Sequence, residues 1–125
     1  MATLKATDND DIVNGTLHDD LIVGYDGDDI LNGDAGNDRI YGGEGNDTIS
    51  GGDGDDYIRG DAGNGGNDTI DGGAGDDTFD ISIGDDVVTG GSGNDTFKLF
   101  GESAGSLTIT DFTAGGGTTD QIVLS

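Results

Sequence analysis

A nine-residue unit recurs along most of this chain, and no other feature restricts its fold so tightly. Over residues 42–59 it reads GGEGNDTIS and then GGDGDDYIR. Glycine holds the first, second and fourth positions, aspartate the sixth and isoleucine the eighth, as Ile49 and Ile58. Stepping outward in nines, the sixth position is Asp11, Asp20, Asp29, Asp38, Asp47 and Asp56, then, past a three-residue insertion near Asn64, Gly65 and Gly66, Asp68, Asp77, Asp86 and Asp95. The eighth position is apolar in all ten copies: Val13, Ile22, Leu31, Ile40, Ile49, Ile58, Ile70, Phe79, Val88 and Phe97. A short fixed period of this kind is the mark of a stacked repeat, in which each unit buries its apolar residue only against its neighbours.

Within a copy, three residues such as Thr48, Ile49 and Ser50 suit a short strand whose middle side chain alone points inward. The six before them suit a turn, because glycine reaches backbone angles closed to other residues. Two copies, eighteen residues, then complete one coil, and odd and even copies stack into two parallel sheets. From Leu99 the period stops. Residues 106–112 alternate like a half-buried strand, residues 113–119 read as a glycine-rich turn, and residues 121–124 as a second short strand. This tail is expected to cover the last apolar layer. The chain therefore divides into degenerate first copies (1–23), regular repeats (24–98, with a weak copy at 81–89) and a cap (99–125).

Charge narrows the partners. The chain has 125 residues, with Asp+Glu 27 against Lys+Arg 4 and a net charge of −23. All its acidic residues except Glu44 and Glu102 are aspartate, whereas disordered acidic chains lean on glutamate. The charge balance argues against nucleic acids and anionic membranes as partners, since both need basic patches. Cysteine is absent, so neither disulfides nor thiolate metal sites are available. No run reaches the roughly 18 apolar residues of a membrane span. Residues 1–10 lack the apolar centre of a signal peptide, so any export signal is expected outside this chain.

One apolar side chain per copy cannot by itself order nine residues rich in glycine, and stacked carboxylates repel one another. A cation between copies n and n+2 answers both problems. Calcium takes six to eight oxygens, backbone carbonyls included, in flexible geometry; magnesium prefers a small octahedron that keeps its waters. Zinc would want His or Cys. The expected ions link Asp20, Asp38, Asp56, Asp77 and Asp95 on one side, and Asp29, Asp47 and Asp68 on the other, with weaker occupancy near Asp86. Other readings of the same residues fall away. No acidic loop ends in a glutamate at the twelfth position, which an EF-hand needs. No Lys-Ser/Thr follows the glycines, as a phosphate loop requires. His18 stands alone in a turn slot and reads as a solvated residue. Near-identical pairs in all ten copies, six of them two carboxylates such as Asp28 and Asp29, point to structure rather than acid–base catalysis.

The pattern GGxGxD followed by x-apolar-x, from about Asp8 to Lys98, resembles the repeats-in-toxin (RTX) nonapeptide. ITDF (109–112) and DQIVLS (120–125) also look like the segment that closes many RTX rolls. The resemblance implies calcium ligation by the sixth-position aspartates and by turn carbonyls, those of Gly33, Gly42, Gly51, Gly60, Gly72 and Gly90 among them. It also implies type I secretion and folding outside the cell. Copies without the full glycine set, and the turn at 64–66, are expected to hold distorted or weaker sites. The predicted fold is all-β, a right-handed parallel β-roll (β-solenoid) with a C-terminal capping strand segment.

The expected function is a non-enzymatic, secreted calcium module that is disordered without the ion and supports neighbouring domains once folded. An appendage of a secreted hydrolase or polysaccharide-modifying enzyme is the alternative; an ice-contact face is disfavoured because Thr48, Thr69, Thr78 and Thr96 make no full ladder. Ile12, Ile30, Thr48, Thr69 and Val87 are expected to face solvent along one side, with Leu21 and Val23 also exposed. That face, or the uncapped first coil, offers a surface for a neighbouring domain or for self-association.

Overall fold

The computed structural model describes residues 1–61, 65–82, 84–100, 105–113 and 119–124. Asn64 of the insertion, most of the glycine-rich turn at 113–119, Glu102 and Ser125 lie outside the described residues.

Among the described residues every regular element is a strand: β1 Thr3–Lys5, β2 Ile12–Asn14, β3 Leu21–Asp26, β4 Ile30–Asn32, β5 Arg39–Glu44, β6 Thr48–Asp53, β7 Tyr57–Asp61, β8 Thr69–Ala74, β9 Thr78–Ile81, β10 Asp86–Ser92, β11 Thr96–Leu99, β12 Leu107–Ile109 and β13 Gln121–Leu124. Odd strands form one sheet in the order β1-β3-β5-β7-β9-β11-β13, and even strands the other, β12-β10-β8-β6-β4-β2. All pairings among the described strands are parallel; within the repeats residue n sits beside n+18, or n+21 across the insertion, so Ile40 pairs Ile22 and Ile70 pairs Ile49, while the cap strands pair at n+21 (β10 with β12) and n+25 (β11 with β13). The chain is a β-solenoid whose coils are two copies long.

The alternation of each strand follows from a core only one side chain deep on each side. Ile22, Ile40, Ile58, Phe79 and Phe97 line one sheet and Leu31, Ile49, Ile70 and Val88 the other, all essentially without solvent contact. Phe79 and Phe97 stack at 5.0 Å between ring centres, and Phe112 leans on Phe97 at 6.4 Å. Several strands run on into the next copy's glycines, which extends them to six residues where three were expected.

The ends depart from expectation. The first coil, expected to be uncapped, gains the additional strand β1, which pairs with β3 and lays Leu4 over Ile22. The first coil is thus partly covered. At the other end β12 pairs β10 and β13 pairs β11, yet every residue of β13 is exposed. Ile12, Ile30, Thr48, Thr69 and Val87 do form one exposed column on the even sheet. Leu21 and Val23 are only half-buried, since Thr3, Lys5, Arg39 and Tyr41 flank them on adjacent strands. All four cationic residues, Lys5, Arg39, Arg59 and Lys98, lie on strands of the odd sheet. There Arg39 sits 5.3 Å from the Tyr57 ring, and the Tyr57 hydroxyl donates to Asp80.

Truncating the stacked ring in Phe97→Ala is expected to cost the calcium-loaded fold about 3–5 kcal/mol, as for other buried aromatic residues. Ile30→Ser on the outer face should cost within about 0.5 kcal/mol. Denaturant unfolding in excess calcium checks both, and equal losses would contradict the one-side-chain core.

Candidate metal centre

Each sixth-position carboxylate is split between two tasks. Its Oδ1 accepts the backbone N–H of the equivalent aspartate two copies earlier: Asp20 to Asp38, Asp38 to Asp56, Asp56 to Asp77 and Asp77 to Asp95 on one side; Asp11 to Asp29, Asp29 to Asp47, Asp47 to Asp68 and Asp68 to Asp86 on the other. These bonds measure 2.7–3.0 Å. The Oδ2 atoms of Asp29, Asp38, Asp47, Asp56, Asp68, Asp77 and Asp95 are buried and have no hydrogen-bond partner. A buried, unpartnered carboxylate oxygen is costly, so each of these atoms marks a place for a positive ligand.

The glycines show where that ligand belongs. At Gly24, Gly33, Gly42, Gly51 and Gly72, a Cβ would come within 3.0 Å of two oxygens. One is the Oδ2 of its own copy's aspartate; the other is the carbonyl of the first-position glycine two copies on, Gly42, Gly51, Gly60, Gly72 and Gly90 respectively. The Gly33 carbonyl reaches Gly15 in the same way. Both donor classes expected for calcium therefore converge on a space that any larger residue would fill. The set is all oxygen, mixes charged with neutral donors and draws on two successive coils, which fits a hard cation of flexible geometry.

Not every predicted aspartate is left unsatisfied. Asp20 differs, since its Oδ2 accepts both the backbone N–H and the hydroxyl of Thr16 at 2.7 Å. Thr7 treats Asp11 likewise at 2.6 Å. In both copies threonine replaces the second-position glycine. Hydrogen bonds from Ala2 and Thr16 hold the Asp20 carboxyl below the usual range, and those from Thr7 do so for Asp11. In the column of Gly24, Gly42 and Gly60, the first-position glycine gives way in the next coil to Ile81, a buried core residue. No carbonyl approaches the Gly60 cradle as closely as 3.4 Å, so the site expected near Asp86 lacks the usual glycine oxygen.

Three groups were not singled out from the sequence. The fifth position forms a second ladder running the opposite way: the N–H of Asn46 donates to Asp28 Oδ1, that of Asn67 to Asn46, and that of Asp76 to Asp55. Its signal is a column holding only Asp or Asn. Asp120 continues the sixth-position ladder into the cap, accepting from Asp95 through Oδ1 and from Thr113 through Oδ2. Its signal is the repeat spacing, Asp120 two residues before Ile122. Asp61 is buried beside Asp68 and Asp86.

The RTX calcium-binding nonapeptide repeat family matches residues 5–40, 32–65 and 62–81, more than half of the chain. The chain belongs to this RTX family. No curated protein matches it. RTX repeats bind calcium, and buried, unpartnered carboxylate oxygens are donors of the kind that ion takes. Proteins with such repeats are characteristically secreted by bacteria. Among the described residues, no helix is long and apolar enough to cross a membrane.

Without a cation, burial raises these carboxyls, and neighbouring aspartates add to the effect against the pull of the ladder hydrogen bonds. Asp47, Asp68 and Asp77 rise to about 7, and Asp56 and Asp95 to about 6, from 3.8. Because the folded values lie above the unfolded ones, the coiled state binds more protons than the open chain. Its metal-free stability therefore grows as pH falls from about 7 towards 4 and is lost as pH rises. In chelator, far-ultraviolet circular dichroism should show more β signal at pH 5 than at pH 8. With calcium present, the half-saturating concentration should rise on acidification, since protons and calcium compete for the same oxygens. The opposite trend in chelator would contradict the buried ladder.

Proposed function

We propose that this chain is a non-enzymatic module that is open in calcium-poor surroundings and coils when calcium binds, as the RTX part of a secreted bacterial protein. The observation that carries this reading is the row of buried Oδ2 atoms without a partner, of which those of Asp29, Asp38, Asp47, Asp56 and Asp77 each face a glycine carbonyl from the next coil. In a chain of net charge −23, those oxygens cannot be brought together without a counter-charge. The ions would sit between copies n and n+2, held by Asp29, Asp38, Asp47, Asp56 and Asp77 with the carbonyls of Gly42, Gly51, Gly60, Gly72 and Gly90. They would screen the stacked carboxylates and cross-link coils that share few apolar contacts. Binding energy would then be folding energy, and the response to calcium steep.

Such a module stays extended while the cell keeps calcium low, which suits export, and stiffens in calcium-rich surroundings, where it would support the domains beside it. The copies sealed by Thr7 and Thr16 would form a metal-independent first coil on which the loaded coils build. Circular dichroism during a calcium titration tests this. The expected result is a disordered spectrum in chelator at neutral pH, converting to β within a narrow calcium range, and not with magnesium at the same concentration. Full β signal in chelator, unchanged by calcium, would refute it. Asp47→Ala and Asp56→Ala, in the middle of each ladder, should each shift the midpoint to higher calcium, while Asp53→Ala on the exposed surface should not.

A further inference from the structure

The insertion in the seventh copy was expected to spoil a turn; the geometry around it points instead to an added site. Second-position residues of most regular copies are left-handed: Gly43, Gly52, Gly73 and Gly91 have φ of 97–111°, and Tyr25 and Asp34 have 76° and 77°, whereas Thr7, Thr16 and Ser82 do not share that backbone. That backbone turns the side chain of Asp34 out to solvent. Asp61 occupies the same position in the same local sequence, GDAGN, but is not among the left-handed residues and is 2% exposed. It ends β7 beside Gly43, with its carbonyl accepting from Arg59 Nε at 2.9 Å.

Inside, it meets Asp68 and Asp86. One carboxylate oxygen from each of the three lies within 4.8 Å of the others, and all three residues are buried. Oxygens sharing one calcium ion at 2.3–2.6 Å can stand up to about 5 Å apart, whereas a magnesium shell at 2.0–2.1 Å allows only about 4.2 Å. The cluster carries its own indication of a ligand: Asp61 Oδ1 and Asp68 Oδ2 are buried without a hydrogen-bond partner. The place is also where the glycine carbonyl is missing, since Ile81 succeeds Gly60 in that column and no carbonyl closes the Gly60 cradle.

We propose that Asp61, Asp68 and Asp86 form a three-carboxylate cation site, created by the insertion, in which Asp61 supplies the oxygen that the glycine ladder no longer provides. The inference rests on reading the chain as a calcium-loaded stack, and it adds one ion of different ligation to that stack. With more negative charge than the glycine-carbonyl sites, it takes calcium tightly and prefers a trivalent lanthanide more strongly than they do. It also ties the end of β7 to the turn before β8 and to the first residue of β10, at the level where Ile81 and Leu99 replace glycine.

The test compares the whole chain with Asp61→Asn and with Asp34→Asn, the same substitution at the outward-facing counterpart. Calcium bound per chain is counted by native mass spectrometry over a range of free calcium, with circular dichroism alongside. Asp34→Asn should match the wild type. Asp61→Asn should still coil in excess calcium, yet bind one ion fewer, or fill its last ion at tenfold higher calcium. An unchanged count and affinity in a coiled Asp61→Asn chain would overturn this site alone, whereas a wild type that binds no calcium would overturn the calcium-folding reading with it. Should Asp61→Asn fail to coil, europium(III) excitation spectra of the wild type decide, because the band energy follows the summed charge of the ligands. A second band apart from that of the repeat sites supports the three-carboxylate centre, and a single band overturns it.

Discussion

A carboxylate has two oxygens, and this fold depends on their being used differently. In each regular copy Oδ1 closes a hydrogen bond to the backbone two copies away, which fixes the coil-to-coil register with a charged acceptor. Oδ2 is left inside with nothing from the protein to meet it. The first oxygen makes the stack specific; the second makes it conditional. Neither the single apolar layer nor the parallel ladders remove the repulsion among buried aspartates, a repulsion that the charge of a bound cation would offset.

Aspartate and glycine are inseparable here for a steric reason. The space that Oδ2 enters is the one a Cβ on the first-position residue would occupy, so that column can change only where the carboxylate is satisfied otherwise. The ends of the stack show the alternatives. Thr16 and Thr113 complete the hydrogen bonding of Asp20 and Asp120, and Ile81 converts the first-position column to apolar core beyond Gly60. The solenoid is thus sealed by ordinary hydrogen bonds and packing at its extremities and left open to cations along its middle.

Much of this was legible from spacing alone. An acid and an apolar residue two apart, every nine residues, dictate the two sheets, the single-layer core and the buried carboxylate columns. What escaped notice did so for identifiable reasons. Before strand β1 stands Ala2 where an acid would announce a copy, although the amide of Ala2 still donates to Asp20 as the aspartates of other copies do. The fifth-position ladder uses Asp and Asn interchangeably, because each offers the same Oδ1, so it blurs in any count of charges. Asp61 and Asp34 share one local sequence and point in opposite directions. A difference in backbone angle next to an insertion cannot be seen in the letters themselves.

The two sheets are built by one motif, yet their outer surfaces are unlike: every lysine and arginine lies on the odd sheet, with Tyr41 and Tyr57, while the even sheet shows Ile, Thr and Asn. Because neighbours along a sheet are two units apart, gaining or losing eighteen residues lengthens or shortens the molecule and leaves each surface on its own side. Gaining or losing nine would send every later unit across to the opposite wall. The basic and aromatic character would be divided between the two walls, although each unit still fitted its place. A lineage of such chains is therefore free to vary in length by whole turns, and half-turn changes are penalised through the surfaces rather than the interior.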